Sequence, residues 1–369
     1  MFLKCYNMIR AKTYQKIVQE QFFTFINMAN IKSDSEEMNV SKPTISVALT
    51  MVSIPLSMIL WISNILFRKF YGDNVNELDE GLPPLRWFIS TFIPLFIAVW
   101  GYTKRSLNLS GALLGVVVGF VLTLSSYGFL ACLLTFFVTS SRATKFRSKT
   151  KKQLEPDFKE GGQRNWIQVL CNGGMATQLA LLYILDVGCG ELPVDFKRYY
   201  RPSWLSIGIL GAFSSCNGDT WASELATVLD TGLPILITTG KPVPKGTNGG
   251  VSVIGLVVSL LGGVAVGLAN YAMLIYTIDA DMLARSPAQW PIIVAGGFAG
   301  LVGSVVDSVL GATLQYSGFN RKTGAIVEHP GKDIVHISGR RILDNHSVNL
   351  ISSVIMGIVT PKIAYLVWP

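Results

Sequence analysis

Two carboxylates five residues apart, Asp219 and Glu224, mark the stretch Asn217-Gly218-Asp219-Thr220-Trp221-Ala222-Ser223-Glu224. Beyond it come Thr238, Thr239 and Lys241, then Lys245 and the polar glycine string Gly246-Thr247-Asn248-Gly249-Gly250. A third carboxylate, Asp307, stands inside the otherwise apolar run Gly303–Ala312. A carboxylate in or beside a membrane boundary is costly unless it is paired or metal-bound. Mg²⁺ is held by few carboxylates together with substrate phosphates, so Asp219, Glu224 and Asp307 are the candidate metal ligands. The same acids have structural alternatives: Asn217 or Asp219 capping a helix start, Glu224 in a salt bridge, and Asp307 paired with a Lys or Arg that fixes packing. GxxxxGK[ST] occurs nowhere in the chain. The glycines from Gly246 to Gly250 still permit tight turns whose N–H groups would face an anion at a helix N-terminus. Lys241 and Lys245 would add point charge, and Thr247, Asn248, Gly249 and Gly250 are the candidate phosphate contacts. Acids, cations and a glycine-rich turn on one face are what phosphoryl transfer requires, because that chemistry is mostly positioning and charge neutralisation.

The elements that must position these residues are membrane helices. Half of the 369 residues are hydrophobic and only 15% are charged, against about 25% in an ordinary soluble domain; the mean hydropathy is +0.43. Several apolar runs reach the length that crosses a bilayer as a helix, and lipid leaves backbone groups no outside partner. The expected fold is an all-α polytopic membrane protein, a bundle of about 8–9 transmembrane helices with polar loops. Residues 1–43 read as a mobile polar N-terminal extension, and 44–369 as one membrane domain. Expected spans are Ile45–Phe67, Trp87–Tyr102, two short helices within Leu107–Val138 broken at Ser125-Ser126-Tyr127-Gly128, Trp166–Leu185, Trp204–Ser215, Val251–Ile278, Trp290–Leu314 and Val348–Val367. Gly111, Gly115 and Gly119, at four-residue spacing, mark a close-packing helix face.

The formal charge of +8 fits positive-inside loops rather than nucleic-acid binding. The most basic loop, from Thr139 to Lys152, holds Arg142, Lys145, Arg147 and Lys149, with Arg164 following, and by the same rule it faces the cytoplasm. Lys145 and Arg164 are candidate phosphate neutralisers, although the loop as a whole serves first as a topology determinant. Two spans separate this loop from residues 216–252, and two more separate those from the loop 316–347, so all three fall on one side. Asn345 and Asn349, four apart, would bond a ligand or cap the last helix. The five cysteines are scattered without CxxC, and the three histidines show no metal-binding spacing.

The motifs TSSRATKFR (139–147), GGQRNWIQVLCNG (161–173), NGDTWASEL (217–225), LITTGKPVPKGTNGGVS (236–252), GSVVDSVLGATLQY (303–316) and ILDNHSVNLISS (342–353) resemble the transmembrane protein 19 family from about residue 45 onward. That family includes the plastid phytyl-phosphate kinase. The resemblance implies a nucleotide-dependent prenyl-phosphate kinase that converts a prenyl monophosphate to the diphosphate. The GD-x-x-A-S pattern at Gly218, Asp219, Ala222 and Ser223 is similar to CTP-dependent polyprenol kinases, which implies CTP as donor and Mg²⁺ as cofactor. Asp219, Lys241 and Asp307 would then carry catalysis, with a prenyl-phosphate lipid and a nucleotide as partners. Apart from the resemblance, an endoplasmic-reticulum-type membrane is the default expectation, as neither a plastid nor a mitochondrial transit pattern is evident. A membrane transporter or lipid-binding scaffold, with Asp307 as its coupling site, is the alternative from another class.

Overall fold

The computed structural model describes Met58, Ile59, Ile62, Ser63, residues 83–146 and residues 163–368. The N-terminal extension, nearly all of the expected span Ile45–Phe67 and the basic residues 147–162 lie outside the described residues. The described residues belong to one compact unit, Ser46–Pro369.

Helices dominate. They are α1 (Pro84–Thr103), α2 (Leu109–Ser125), α3 (Tyr127–Lys145), α4 (Trp166–Val187), α5 (Tyr200–Trp221), α6 (Val253–Thr277), the short α7 (Ala280–Ala284), α8 (Pro291–Leu314) and α9 (Asn345–Val367). Five of them, α1, α4, α6, α8 and α9, are long and apolar enough to cross a membrane; α2 is apolar but only 17 residues long. The break in the long apolar run falls where the sequence places it. Ser126 takes an extended backbone, ends α2, and caps α3 by accepting a hydrogen bond from Gly128 N at 3.1 Å.

Two boundaries differ from expectation for one reason. The run Thr139–Lys145 is the last two turns of α3 rather than a loop, and α5 runs past Ser215 to Trp221 before a π-helical turn, Ala222–Ala226. The small polar residues at these ends are bonded to each other, so the helices continue through them. Thr139 and Ser140 donate to Asn217 Oδ1 at 2.9 and 3.0 Å, and Asn217 Nδ2 donates to the Gly262 carbonyl at 2.8 Å. Asn217 is fully buried. It is a bolt joining α3, α5 and α6 and caps no helix.

The helix core centres on α5, which packs on α4, α6, α8 and α9. Phe213, Ile207, Ile209, Leu210, Tyr183 and Leu122 are completely enclosed there. Glycines bring α5, α6 and α8 together backbone to backbone. A Cβ on Gly218 would lie 2.6 Å from the Gly300 carbonyl, and one on Gly267 would lie 2.9 Å from the Ile293 Cα. No side chain fits in those spaces, which is how small residues drive helix association in lipid. The expected glycine face on α2 packs at Gly111, against the Arg164 carbonyl, and at Gly119, against Pro94.

Among the described residues, five short strands depart from the all-α expectation. Strands β1 (Ile235–Leu236) and β2 (Gly250–Val251) pair antiparallel and close the loop between α5 and α6. Strands β3 (Ser317–Asn320), β4 (Ile326–Val327) and β5 (Ile334–Ser338) form a sheet in the order β4-β3-β5, within what reads by sequence as a polar loop. At the opposite end of the bundle, Arg86 of α1 is clamped in a buried ion pair. Its Nη2 lies 2.6 Å from Glu191 Oε2, and its Nη1 donates to the Leu124 and Ser125 carbonyls.

Aspartate caps the last helix. Asp344 Oδ1 accepts from Ser347 N at 2.8 Å. The Ser347 bonds hold its carboxyl below the usual Asp value, so its contribution is complete at neutral pH and is lost as pH falls through the folded pKa. Asp344→Ala is expected to cost about 1 kcal/mol at pH 7. Followed by thermal unfolding in detergent, the gap from wild type should close as the pH drops below about 4. A gap constant with pH would show that the carboxylate charge is not involved.

Candidate functional site

Residues from the three segments expected on one side, 139–164, 216–252 and 316–347, meet at one end of the bundle. Besides the Asn217 junction, Trp221 Nε1 donates to Thr139 Oγ1 at 3.2 Å, Arg164 Nη1 donates to Ser141 Oγ at 2.7 Å, and Asn248 N donates to Ser317 Oγ at 3.1 Å. The convergence expected from span counting is therefore present.

Two carboxylates face each other within this end. Asp219 projects from α5 one turn beyond Ser215, which lies against Gly303 of α8. Asp307 projects from α8 one turn beyond Ser304, and Ser304 Oγ donates to Asp219 Oδ1 at 3.4 Å. The two acids are close enough that Asp307 feels the charge of Asp219, and the Cys216 thiol between the helices feels both. On the far side, Ser352 Oγ of α9 donates to Asp307 Oδ2 at 3.2 Å. Asn349, in the amide orientation that satisfies both its polar atoms, donates to the same oxygen at 3.2 Å and to the Asn345 carbonyl at 3.3 Å. Asn349 thus holds a carboxylate, while the capping expected of this asparagine pair falls to Asp344.

Each carboxylate keeps one oxygen open. Among the described residues, Asp219 Oδ2 and Asp307 Oδ1 accept no hydrogen bond and neither acid forms an ion pair. Both side chains are half-buried. The Lys or Arg partner considered for Asp307 is not found among the described residues. No three His, Cys, Asp or Glu among them gather closely enough to hold a metal alone. The expected triad resolves into a pair, Asp219 and Asp307, and Glu224 on the π-helical turn, whose charge falls on Arg164. Two carboxylates with free oxygens still fit Mg²⁺, which takes few protein ligands when phosphates supply the rest.

Arg164 and Lys145 stand together at the same end of the bundle, each close enough to act on the other's charge. The backbone at Arg164 bonds to the turn after α1, through Ser106 O at 3.0 Å and Asn108 N at 3.1 Å. Its guanidinium lies 5.9 Å from the Phe137 ring centre. Burial lowers Arg164 to about 10, with Glu224 pulling the other way, so it is still charged at neutral pH. Lys145 Nζ donates to Ser106 Oγ at 2.9 Å and to the Lys104 carbonyl at 2.8 Å. Sequence reasoning found these cations but missed Ser141, Ser106, Ser304 and Ser352, which orient the charged groups. A lone serine carries no pattern that separates it from any other small membrane residue.

The glycine-rich loop is more closed than its composition suggests. Asn248 N is taken by Ser317, Gly250 N donates to the Thr247 carbonyl at 3.0 Å, and Thr247 Oγ1 turns back to Pro244 O at 2.7 Å. Ser252 caps α6 through Gly255 N. Gly249, at φ +79°, lies so tightly on α8 that a Cβ would collide with Ala312 and the Ser308 carbonyl. What the loop leaves open is a side-chain donor. Asn248 Nδ2 and, beside it across Gly311, Gln315 Nε2 are buried without partners among the described residues, and buried amide donors call for an acceptor. Lys245 binds the Thr227 and Asp230 carbonyls and so caps the helix end after α5. Lys241 is exposed on the hairpin loop, without a side-chain hydrogen bond among the described residues.

The fold defines a polytopic integral membrane protein that gathers a carboxylate pair and two cations at one end of its bundle. Residues 92–357 match the family described as integral membrane protein DUF92, and the chain belongs to that family. It is 41% identical over 283 residues to Protein PGR of Arabidopsis thaliana, covering 76% of this chain and 97% of that one. It is 25% identical over 284 residues to an uncharacterized membrane protein of Methanocaldococcus jannaschii, covering 77% and 96% of the two chains. Protein VTE6, chloroplastic, of Arabidopsis thaliana is 26% identical over 186 residues, half of this chain and 53% of that one. No solved structure matches significantly.

Proposed function

We propose that this protein is a membrane-embedded prenyl-phosphate kinase that transfers the terminal phosphoryl group of a nucleoside triphosphate, CTP by resemblance, to a prenyl monophosphate. The observation that carries the proposal is the Asp219–Asp307 pair, two neighbouring carboxylates with open oxygens and no cation partner among the described residues, at the end of the bundle where Arg164 and Lys145 gather. Asp219 and Asp307 would hold Mg²⁺, which when bound would neutralise phosphate oxygens. Arg164, whose side chain makes one hydrogen bond among the described residues, to Ser141, would take the acceptor phosphate in the forked geometry a guanidinium offers. Lys145 would add charge beside it. Asn248 and Gln315 would give amide donors to the nucleotide phosphates, and Lys241 would approach from its exposed loop. In the reaction an acceptor phosphate oxygen bonds to the terminal phosphorus, the bond from that phosphorus to the bridging oxygen breaks, and CDP leaves. The acceptor is already anionic, so no general base is needed.

In the membrane, α1 to α6, α8 and α9 would all cross, eight spans among the described residues. This end of the bundle would face the cytoplasm, where its basic flank is expected to lie. Incubation of purified protein with Mg²⁺, labelled CTP and farnesyl, geranylgeranyl or phytyl monophosphate should yield labelled prenyl diphosphate. Formation of none of these products from CTP or ATP would remove the kinase proposal.

A further inference from the structure

An apolar cleft runs into the bundle from the candidate site. Its walls come from Pro94 and Ala98 of α1, Gly115 and Val118 of α2, Leu133 and Phe137 of α3, and Val169 and Gly173 of α4. Its enclosed part is small, about 60 Å³, and the rest of the roughly 660 Å³ of non-atom space along it is open, so a bound chain would lie in a groove rather than a sealed tunnel. Its polar lining residues are Arg164, just before α4, and Gln168 and Asn172 on α4. Arg164 joins the cleft to this end of the bundle: it lines the cleft, its guanidinium lies 5.9 Å from the ring of the wall residue Phe137, and Glu224, five residues beyond Asp219, acts on its charge. Asn172 joins them a second time, since its carbonyl accepts the Cys216 thiol, which feels both Asp219 and Asp307.

A soluble ligand has no use for such a cleft, and a lipid-filled groove has no need of an arginine at its head. A cation at one end and hydrocarbon along the rest complement an amphiphile with an anionic head and an apolar chain. We infer that this cleft between α1, α2, α3 and α4 binds the hydrocarbon chain of the prenyl phosphate, with Arg164 on its phosphate, and that Gly115 sets how long a chain fits. The inference rests on the kinase proposal for the identity of the head group. From Arg164 to Gly173 the α4 wall measures about 13 Å along the axis, so an isoprenoid chain lies along it with its phosphate held toward the carboxylates. Gly115 opens on this space. A Cβ there meets only Leu107, at an ordinary 3.9 Å, so a larger side chain at this position points into the cleft, whereas Gly119 is already closed by Pro94.

The test measures binding, separately from turnover, with the purified full chain in detergent. Geranyl, farnesyl and geranylgeranyl monophosphates should bind with rising affinity, because each isoprene unit removes more apolar surface from water. Gly115→Phe should weaken geranylgeranyl monophosphate at least about tenfold while changing geranyl monophosphate and CTP less than about threefold. Unchanged long-chain affinity in that variant overturns the inference. Equal affinity for geranylgeraniol and its phosphate overturns the role of Arg164. A prenyl monophosphate carrying a diazirine at the chain end, bound to the unaltered protein, makes the answer independent of how the variant folds. Labels on α1 to α4 support the cleft, and labels confined to other helices sink it. Chain-length-dependent binding without diphosphate formation would remove the kinase proposal and leave the cleft standing.

Discussion

Replacing Asp219 or Asp307 with Asn is expected to lower the rate of prenyl diphosphate formation by about 10²- to 10³-fold, the scale seen when a preorganised electrostatic group is removed from a transferring centre. The same replacements should make the metal-free protein more stable. Two half-buried carboxylates that feel each other's charge, with no cation partner among the described residues, repel in the folded state, and neutralising one relieves that repulsion. Thermal unfolding in detergent with chelator should therefore give a higher midpoint for either variant. Mg²⁺, which should raise the wild-type midpoint by binding only the folded form, should no longer do so. Loss of activity with gain of stability separates a ligand role from a structural one, because a merely structural acid would lose both. Glu224→Gln should be milder, since Glu224 balances Arg164 and stands apart from the pair. Near-normal turnover in Asp219→Asn would put the carboxylates outside the chemistry.

Arg86→Met is expected to destabilise the protein by about 3–5 kcal/mol, the cost of breaking a buried ion pair from one side. Arg86 and Glu191 are both more than nine-tenths buried and meet at 2.6 Å. Among the described residues, removing the arginine leaves the Glu191 carboxylate with the Tyr127 N–H alone, 2.8 Å from Oε1, in a place water does not reach freely. The double variant Arg86→Met/Glu191→Leu should recover much of the loss, because an apolar pair of similar volume carries no desolvation penalty. Denaturant titration in mixed micelles would measure both. The pair lies at the end of α1 opposite the Lys104 turn that contacts Lys145. Folded Arg86→Met protein should therefore turn over substrate normally. A double variant as unstable as the single one would mean that packing at this corner, and not the orphaned charge, sets the cost.

The helices were legible from one signal, the length of apolar runs, because lipid leaves the backbone no alternative to internal hydrogen bonding. The position of the break at Ser126 was legible as well, since a serine-rich interruption in a run too long for one crossing has to cap something. Helix ends were less so. Thr139, Ser140 and Asn217 read as loop residues, yet they lie within helices because they satisfy one another across α3 and α5, and no local pattern reports a partner 77 residues away. The sheet at 317–338 was missed because its strands are short and half-polar.

The candidate site divides in the same way. Composition and spacing singled out Asp219, Glu224, Asp307, Arg164 and Lys145, because charge is conspicuous against an apolar background and costs energy there unless it is used. Only the tertiary structure decided which acids stand together. Asp219 and Asp307 meet because glycines at 218, 300 and 303 let α5 and α8 approach at the backbone, whereas Glu224, five residues from Asp219 in the chain, is turned by the π-helical segment toward Arg164. Sequence separation sets which residues share a helix face. Helix crossings, which depend on the absence of side chains at a few positions, set which faces meet.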